Sequence, residues 1–347
     1  MSALVVLYST TWPFAALRRL RVGRLEWSRE LSGYGRFRFV LPESGSLSAD
    51  DVAPDALIGI RVPGLPDFGG FVDEVREEPQ DGQVQVEGRE LAAVLATRLT
   101  PQRFAAAGFA GGIAERAIRD ALARRPALLD VRSEPGSLVP GQLPWQGDDV
   151  LSTLQQIAER TGDAWRVTYS CRQALSARWI WTSALRPDLR TQVHVTRLAD
   201  PSYARTLISR QALVRAVGGQ LTFEDRPSMV QVVGAAPFHA RLGRTIEALP
   251  GTPRGAETEI TESAADARSL RVRTQTALRD PWAFEEQLEF VVPVNAWPRE
   301  ADVGSVIGVR LADVRFRTGI VRPVRILGYQ VDVNEGAVTV VGGVLPT

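Results

Sequence analysis

The sequence predicts an α+β chain that is mainly β, built as two strand-rich units, each a small barrel or sandwich, around an α/β insertion. Polar and apolar residues alternate with period two near both ends, the pattern of strands with one wet face. Between those ends, from about residue 90 to 162, the apolar period lengthens to that of helices. A length of 347 residues suits two or three domains, at roughly 150 residues each. The expected divisions are 1–92 for the first β unit, helped by strands returning from about 205–235, 93–204 for the insertion, and 205–347 for the return strands and second β unit.

Taken in order, Arg24 to Ser28 and Arg36 to Leu41 alternate across the turn signal Gly33-Tyr34-Gly35 and predict an antiparallel hairpin. Pro42 and the polar run to Asp55 form a loop, after which strands are expected at Leu57 to Val62, Gly70 to Val75 and Gln83 to Glu87. Leu91, Val94, Leu95 and Leu99 share one face of a helix that Pro101 closes. Phe104 to Gly112 reads as a connecting loop, buried or touching a neighbouring subunit, and Ile113 to Leu122 as a second helix ending at Pro126. A third helix is capped by Asp148 or Asp149, carries Leu151, Leu154, Ile157 and Ala158 on one stripe, and stops at Gly162. Strands follow at Trp165 to Tyr169, Trp179 to Trp181, Leu213 to Val217 and Met229 to Val233, then a helical stretch at Ser263 to Leu278. The chain closes with strands at Gln287 to Val292, Ser305 to Arg310, Val324 to Val333 and Ala337 to Val341, the last two joined by a tight hairpin at Asn334 to Gly336.

The 41 basic residues are all arginine and meet 40 acids, so the net charge of +1 gives no global field to recruit nucleic acid, an anionic membrane or an acidic substrate. The single cysteine, Cys171, excludes an intrachain disulfide framework. No apolar run approaches the roughly 18 residues of a membrane span, and Met1 to Leu7 lacks the basic start of a secretory leader.

No catalytic motif emerges, and no catalytic, cofactor-binding or metal-ligating residue is assigned. His194 and His239 stand far apart without ligand partners. The acid doublets Asp73-Glu74, Glu77-Glu78, Asp148-Asp149 and Glu285-Glu286 suggest a glycosidase pair only at first sight, because neighbours on one strand face opposite ways. Asp332 to Gly336 shares letters with a calcium loop but is explained by a hairpin turn. Trp179 and Trp181 fall on one face of a strand, the geometry of a sugar-stacking platform and equally of core packing, which is preferred.

The order of segments carries more than any residue. Leu25-Glu26-Trp27, Gly35 to Pro42, Ile58 to Val62, Phe68 to Val75 and Val86 to Leu91 with Leu95 to Arg98 resemble, in that order, the N-terminal half of bacteriophage tail-tip and baseplate hub proteins. Gly147 to Gly162 is similar to the helix of that family's α/β insertion, and Val230 to Gly234 and Asp302 to Val309 to strands of its second barrel. The likeness stops at residues 170–200 and 235–262. It implies two tail-tube-like β domains and a homotrimer that joins a hexameric tail tube to a central spike or fibre. The distal tail or tube protein and the tape-measure protein would be partners, at the distal end of the tail in the virion. Some relatives append a cell-wall hydrolase, which is not expected here because the chain ends at Thr347 after its terminal strand. A structural role without enzymatic activity is therefore expected, the alternative being a carbohydrate-binding or cell-wall-degrading tail protein.

Overall fold

The structure, a computed structural model, describes residues 3–42, 52–78, 83–100, 104–124, 126–145, 149–182, 286–298, 301–313 and 316–345, with short strands at 191–193, 204–207, 228–233, 238–242, 245–249 and 256–261. The chain is mainly β. Its first stretch forms β1 (Leu4–Tyr8), β2 (Ala16–Leu20), β3 (Leu25–Glu30), β4 (Arg36–Leu41), β5 (Leu57–Arg61), β6 (Phe68–Glu78) and β7 (Gln83–Glu90). The middle holds β8 (Phe104–Phe109), α1 (Ala110–Arg124), β9 (Asp130–Ser133), β10 (Leu138–Trp145), α2 (Val150–Thr161), β11 (Ala164–Cys171) and β12 (Leu175–Thr182). Then come β13 (Thr191–Val193), β14 (Ala204–Leu207), β15 (Ser228–Val233), β16 (Phe238–Leu242), β17 (Thr245–Leu249) and β18 (Ala256–Thr261). The chain closes on β19 (Glu286–Pro293), β20 (Val306–Asp313), β21 (Phe316–Asp332) and β22 (Ala337–Val344).

The two ends of the chain share one sheet. Its strand order is β14-β19-β22-β21-β3-β4-β7-β6-β5-β1-β2, with β20 and β13 branching from β21. The seam is the antiparallel pairing of β21 with β3, Gly328 opposite Glu30 through Asp332 opposite Glu26. Alternation puts Leu25 and Trp27 inward on β3 and Phe37 and Phe39 inward on β4, while Arg36 and Arg38 stay in water. These rings join Phe68 from β6 and Leu288, Phe290, Val338 and Val340 from the last strands in one core, each large apolar side chain contributing on the order of 1.5–3 kcal/mol. Gly88 on β7 is required by this packing, since a Cβ there would lie 2.5 Å from Cζ of Phe37. Strands β15 to β18 make a separate four-stranded sheet in the order β17-β16-β15-β18.

A second core belongs to the α/β segment. Helix α2 begins at Asp149, whose carboxylate accepts the Ser152 N–H at 2.8 Å, and ends at Gly162 in the left-handed region, φ 70°. Its stripe Leu151, Leu154, Ile157 and Ala158 is buried with Ile113, Ala117, Ile118 and Ala121 of α1 and with Trp165 on β11, as the spacing predicts. Strands β11 and β12 are antiparallel neighbours and β12 pairs β9 in parallel.

Several elements differ from the sequence reading. Leu91–Thr97 is a 3-10 helix, not an α-helix; Leu91, Ala92, Ala93 and Leu95 are buried, whereas Leu99 lies beyond its end and is exposed. Phe104 to Phe109 is a strand paired with β10 instead of a loop, and the cross-strand pair Phe109 and Leu138 is exposed instead of buried. Strands β1, β2, β9, β10, β13, β14 and β16 to β18 are additions to the expected set. The expected strand at 213–217 and helix at 263–278 lie outside the described residues.

Candidate functional site

The most concentrated polar chemistry in the interior is a junction around Arg29 on β3, a side chain 1% exposed. Alternation along Leu25, Trp27 and Arg29 turns the guanidinium to the same side as the core residues. Its Nη1 donates to both carboxylate oxygens of Asp302, at 2.8 Å to Oδ1 and 2.6 Å to Oδ2. Nη2 donates to the Val167 carbonyl on β11 and lies 3.2 Å from Oε1 of Glu90 at the end of β7. The guanidinium also sits over the Tyr169 ring, 5.2 Å from its centroid. Around it, the Tyr169 hydroxyl donates to Glu90 Oε1 at 2.9 Å, the Gly35 N–H to Glu90 Oε2 at 2.7 Å, and the Tyr329 hydroxyl to Asp302 Oδ1 at 3.2 Å. One cation thus ties together strands from the start of the chain, the α/β segment and the closing strands.

The electrostatics follow from the count of charges. Arg29 supplies one positive charge against the carboxylates of Glu90 and Asp302. Burial alone would lower the arginine's pKa, but Asp302 and then Glu90 outweigh it and hold the guanidinium more firmly protonated than usual. Burial pushes the Glu90 carboxyl up, an effect that Arg29 and the Gly35 and Tyr169 hydrogen bonds only partly offset. Tyr169 and Tyr329 are raised well above the ordinary phenol value by burial and by the carboxylate each one touches. With Asp302 taking the bidentate contact, Glu90 is the surplus acid. Both tyrosines therefore stay neutral donors at any ordinary pH, which is what a structural clamp needs.

Around this junction the β3–β4 turn is held by further contacts. Ser32 N–H donates to the Trp165 carbonyl at 3.0 Å and Gln155 Nε2 to the Ser32 carbonyl at 3.2 Å. Arg166 Nη1 donates to the Val303 carbonyl at 2.9 Å, a second link from β11 to the closing strands. Sequence reasoning missed the junction because its partners are 273 residues apart. The available signal was Arg29 and Glu90 occupying inward positions of otherwise apolar alternations.

The residues singled out in the sequence do not gather into a catalytic centre. Trp179 and Trp181 are 0% exposed, and the Trp179 ring packs against Trp181 at 5.8 Å and Trp165 at 6.5 Å between centroids, so they offer no face for a sugar to stack on. Trp181 Nε1 donates instead to Asp163, 2.9 Å away, which also receives Ser137. Asp73 is held by Arg89 and Glu74 by Arg76, so that doublet belongs to the ion pairs on the sheet's wet face. Asp149 caps α2, while Asp148, His194 and Glu285 lie outside the described residues. His239 falls on β16, paired with Ala248 of β17. The Asp332 carboxylate accepts the N–H groups of Asn334 and Glu335 at 2.8 and 3.0 Å, which is the hairpin turn expected there. Among the described residues no group of three or more His, Cys, Asp or Glu could hold a metal ion, and no helix is long and apolar enough to cross a membrane.

Solved structures match this architecture end to end. A tail protein from Neisseria meningitidis superposes with a TM-score of 0.57 at 12% identity, over 99% of this chain and 97% of that one. The 43 kDa tail protein of prophage MuSo2 from Shewanella oneidensis gives 0.55 at 11% identity, over 99% and 98%. The fold is that of phage tail proteins. Prophage tail protein gp18 from Listeria monocytogenes extends the likeness, with a TM-score of 0.53 at 8% identity over 99% of this chain and 94% of that one. No known family profile matches the sequence, and no curated protein matches it. In this tail-protein fold the Arg29 junction stands where the two ends of the sheet meet the α/β segment.

Proposed function

We propose that the chain is a structural hub at the distal end of a phage tail, or of a related tail-like injection particle, without enzymatic activity of its own. The carrying observation is the likeness to solved tail proteins over 99% of this chain. Two β units, at 1–92 and 205–347, flank an α/β insertion at 93–204, and three copies of the chain present six similar units in a ring. Such a ring meets a six-fold tail tube on one side and a three-fold spike or fibre on the other, with the tape-measure protein inside. The near-zero net charge suits partners met by shape and strand pairing, and ring closure hides sheet edges that would otherwise seed aggregation.

The test is the mass of the purified full chain by light scattering, followed by imaging of labelled tails. Three copies around a central channel are expected. A chain that stays monomeric at every accessible concentration, or six copies per tail tip, would overturn the adaptor reading. Clearing of host cell-wall material by the pure protein, abolished by a single Asp or Glu substitution, would overturn the non-enzymatic one.

A further inference from the structure

The balanced charge of the whole chain conceals a local imbalance. The first 25 residues contain four arginines, Arg18, Arg19, Arg21 and Arg24, and no aspartate or glutamate. This basic run includes β2, which ends the large sheet and, among the described residues, has β1 as its one paired strand. The turn between β11 and β12 meets β2 at its start, where the Ala16 N–H donates to the Gln173 carbonyl at 2.9 Å. Past that point, among the described residues, no strand lies along the outer side of β2. An open groove of about 900 Å³ lies on the face of the sheet just inward of this edge, lined by Arg18 and Arg19 of β2, Arg61 at the end of β5 and Arg172 of the β11–β12 turn, over the buried Val6 of β1 and Cys171. Asp67 approaches Arg61 at 3.5 Å but does not line the groove. Leu17 is 64% exposed on the strand and Trp12 84% exposed in the turn before it.

We propose that this edge docks an extended acidic segment of a partner protein, which adds to β2 as a further strand. Three features select that occupant together. The Arg19 and Arg172 guanidinium groups at the groove call for carboxylates, the open strand edge supplies backbone hydrogen bonds to an extended chain, and the exposed Leu17 offers apolar contact to its other side chains. A nucleic acid would use the arginines and leave the strand edge and Leu17 idle. The proposal rests on the chemistry of the groove and needs no particular place in a tail.

The probe is a short fluorescent peptide alternating glutamate and threonine, titrated against the full chain at low salt and followed by anisotropy. Binding should weaken by roughly tenfold or more in Arg19→Ser/Arg172→Ser. It should also weaken on raising the salt and on N-methylating alternate peptide bonds, which blocks strand addition without changing charge. Arg36→Ser, exposed on β4, removes a charge outside the groove and should leave binding unchanged. Thermal melts of each variant separate lost binding from lost folding. Failure of the peptide to bind, equal loss in Arg36→Ser, indifference to N-methylation, or tighter binding of a single-stranded oligothymidine would each overturn the proposal.

Discussion

Replacing Arg29 by methionine tests the reasoning about the buried junction most directly. Methionine keeps much of the side chain's apolar volume and removes only the charge and its donors. The guanidinium makes a bidentate contact to Asp302, a contact to Glu90 and a hydrogen bond to the Val167 carbonyl, all in the interior. Removing one partner of a buried ion pair costs about 3–5 kcal/mol, mainly because the other charge is left behind, and here two carboxylates are left. The expected loss therefore sits at the upper end of that range, a large part of a typical domain's whole stability of about 5–15 kcal/mol. Urea unfolding of the full chain, followed by tryptophan fluorescence, reads it as a lowered midpoint. Arg38→Met supplies the control, because Arg38 contacts Glu26 and Glu87 while half exposed, and its midpoint should barely move. If Arg29→Met unfolds at the same urea concentration as Arg38→Met, the junction contributes no more than a surface pair and the argument fails.

Three further outcomes follow from the same structure. Because burial raises the Glu90 carboxyl above its unfolded value, the folded state binds a proton there more readily, so this group's contribution to stability is fully present below the unfolded pKa and is lost as pH rises through the folded one. The stability of the parent relative to Glu90→Gln should accordingly improve as pH falls from 7 toward 4, in denaturation curves taken at each pH; a flat or opposite trend contradicts the assignment. Leu154→Ala opens a cavity at a fully buried site between α2 and its sheet and should cost about 2–5 kcal/mol, so an unchanged melting temperature would mean that this face of the helix is not packed. Cys171 is 1% exposed, and burial, then the neighbouring Asp67, pushes its thiol far above the usual value; a thiol reagent should label it only on unfolding, and rapid labelling of the native protein would contradict its position.

Legibility in the sequence tracked whether a segment has one wet and one dry face. Strands β3, β4 and β22 showed themselves through alternation, and α2 through a four-residue stripe bounded by a cap and a glycine. β1 is apolar throughout, Leu4-Val5-Val6-Leu7-Tyr8, so it carries no period. β2 is exposed along four of its five residues and hides behind its arginines. β8 is mostly alanine and glycine, which signal neither strand nor helix. Over the seven residues of Leu91–Thr97, apolar spacing does not separate a 3-10 helix from an α-helix. Segment order reached further than any of these local signals, because it predicted the tail-protein architecture while the partners within the Arg29 junction stayed invisible to local pattern.

That junction also answers a problem the alternation leaves open. A one-residue slip of β3 against β21 would turn Trp27 out of the core and is excluded by its cost in buried apolar area. A two-residue slip keeps every inward residue inward, so hydrophobic patterning alone discriminates against it only weakly. It would, however, carry the Arg29 guanidinium by about 6.6 Å, at roughly 3.3 Å per residue, out of reach of both Asp302 and the Val167 carbonyl. The cation would then be buried without its partners, the most heavily penalised state in the interior. Fixed hydrogen-bond directions thus select the register at the seam where the two ends of the chain meet, and a protein whose proposed work is to present surfaces at set positions to a ring of neighbours depends on that seam not sliding.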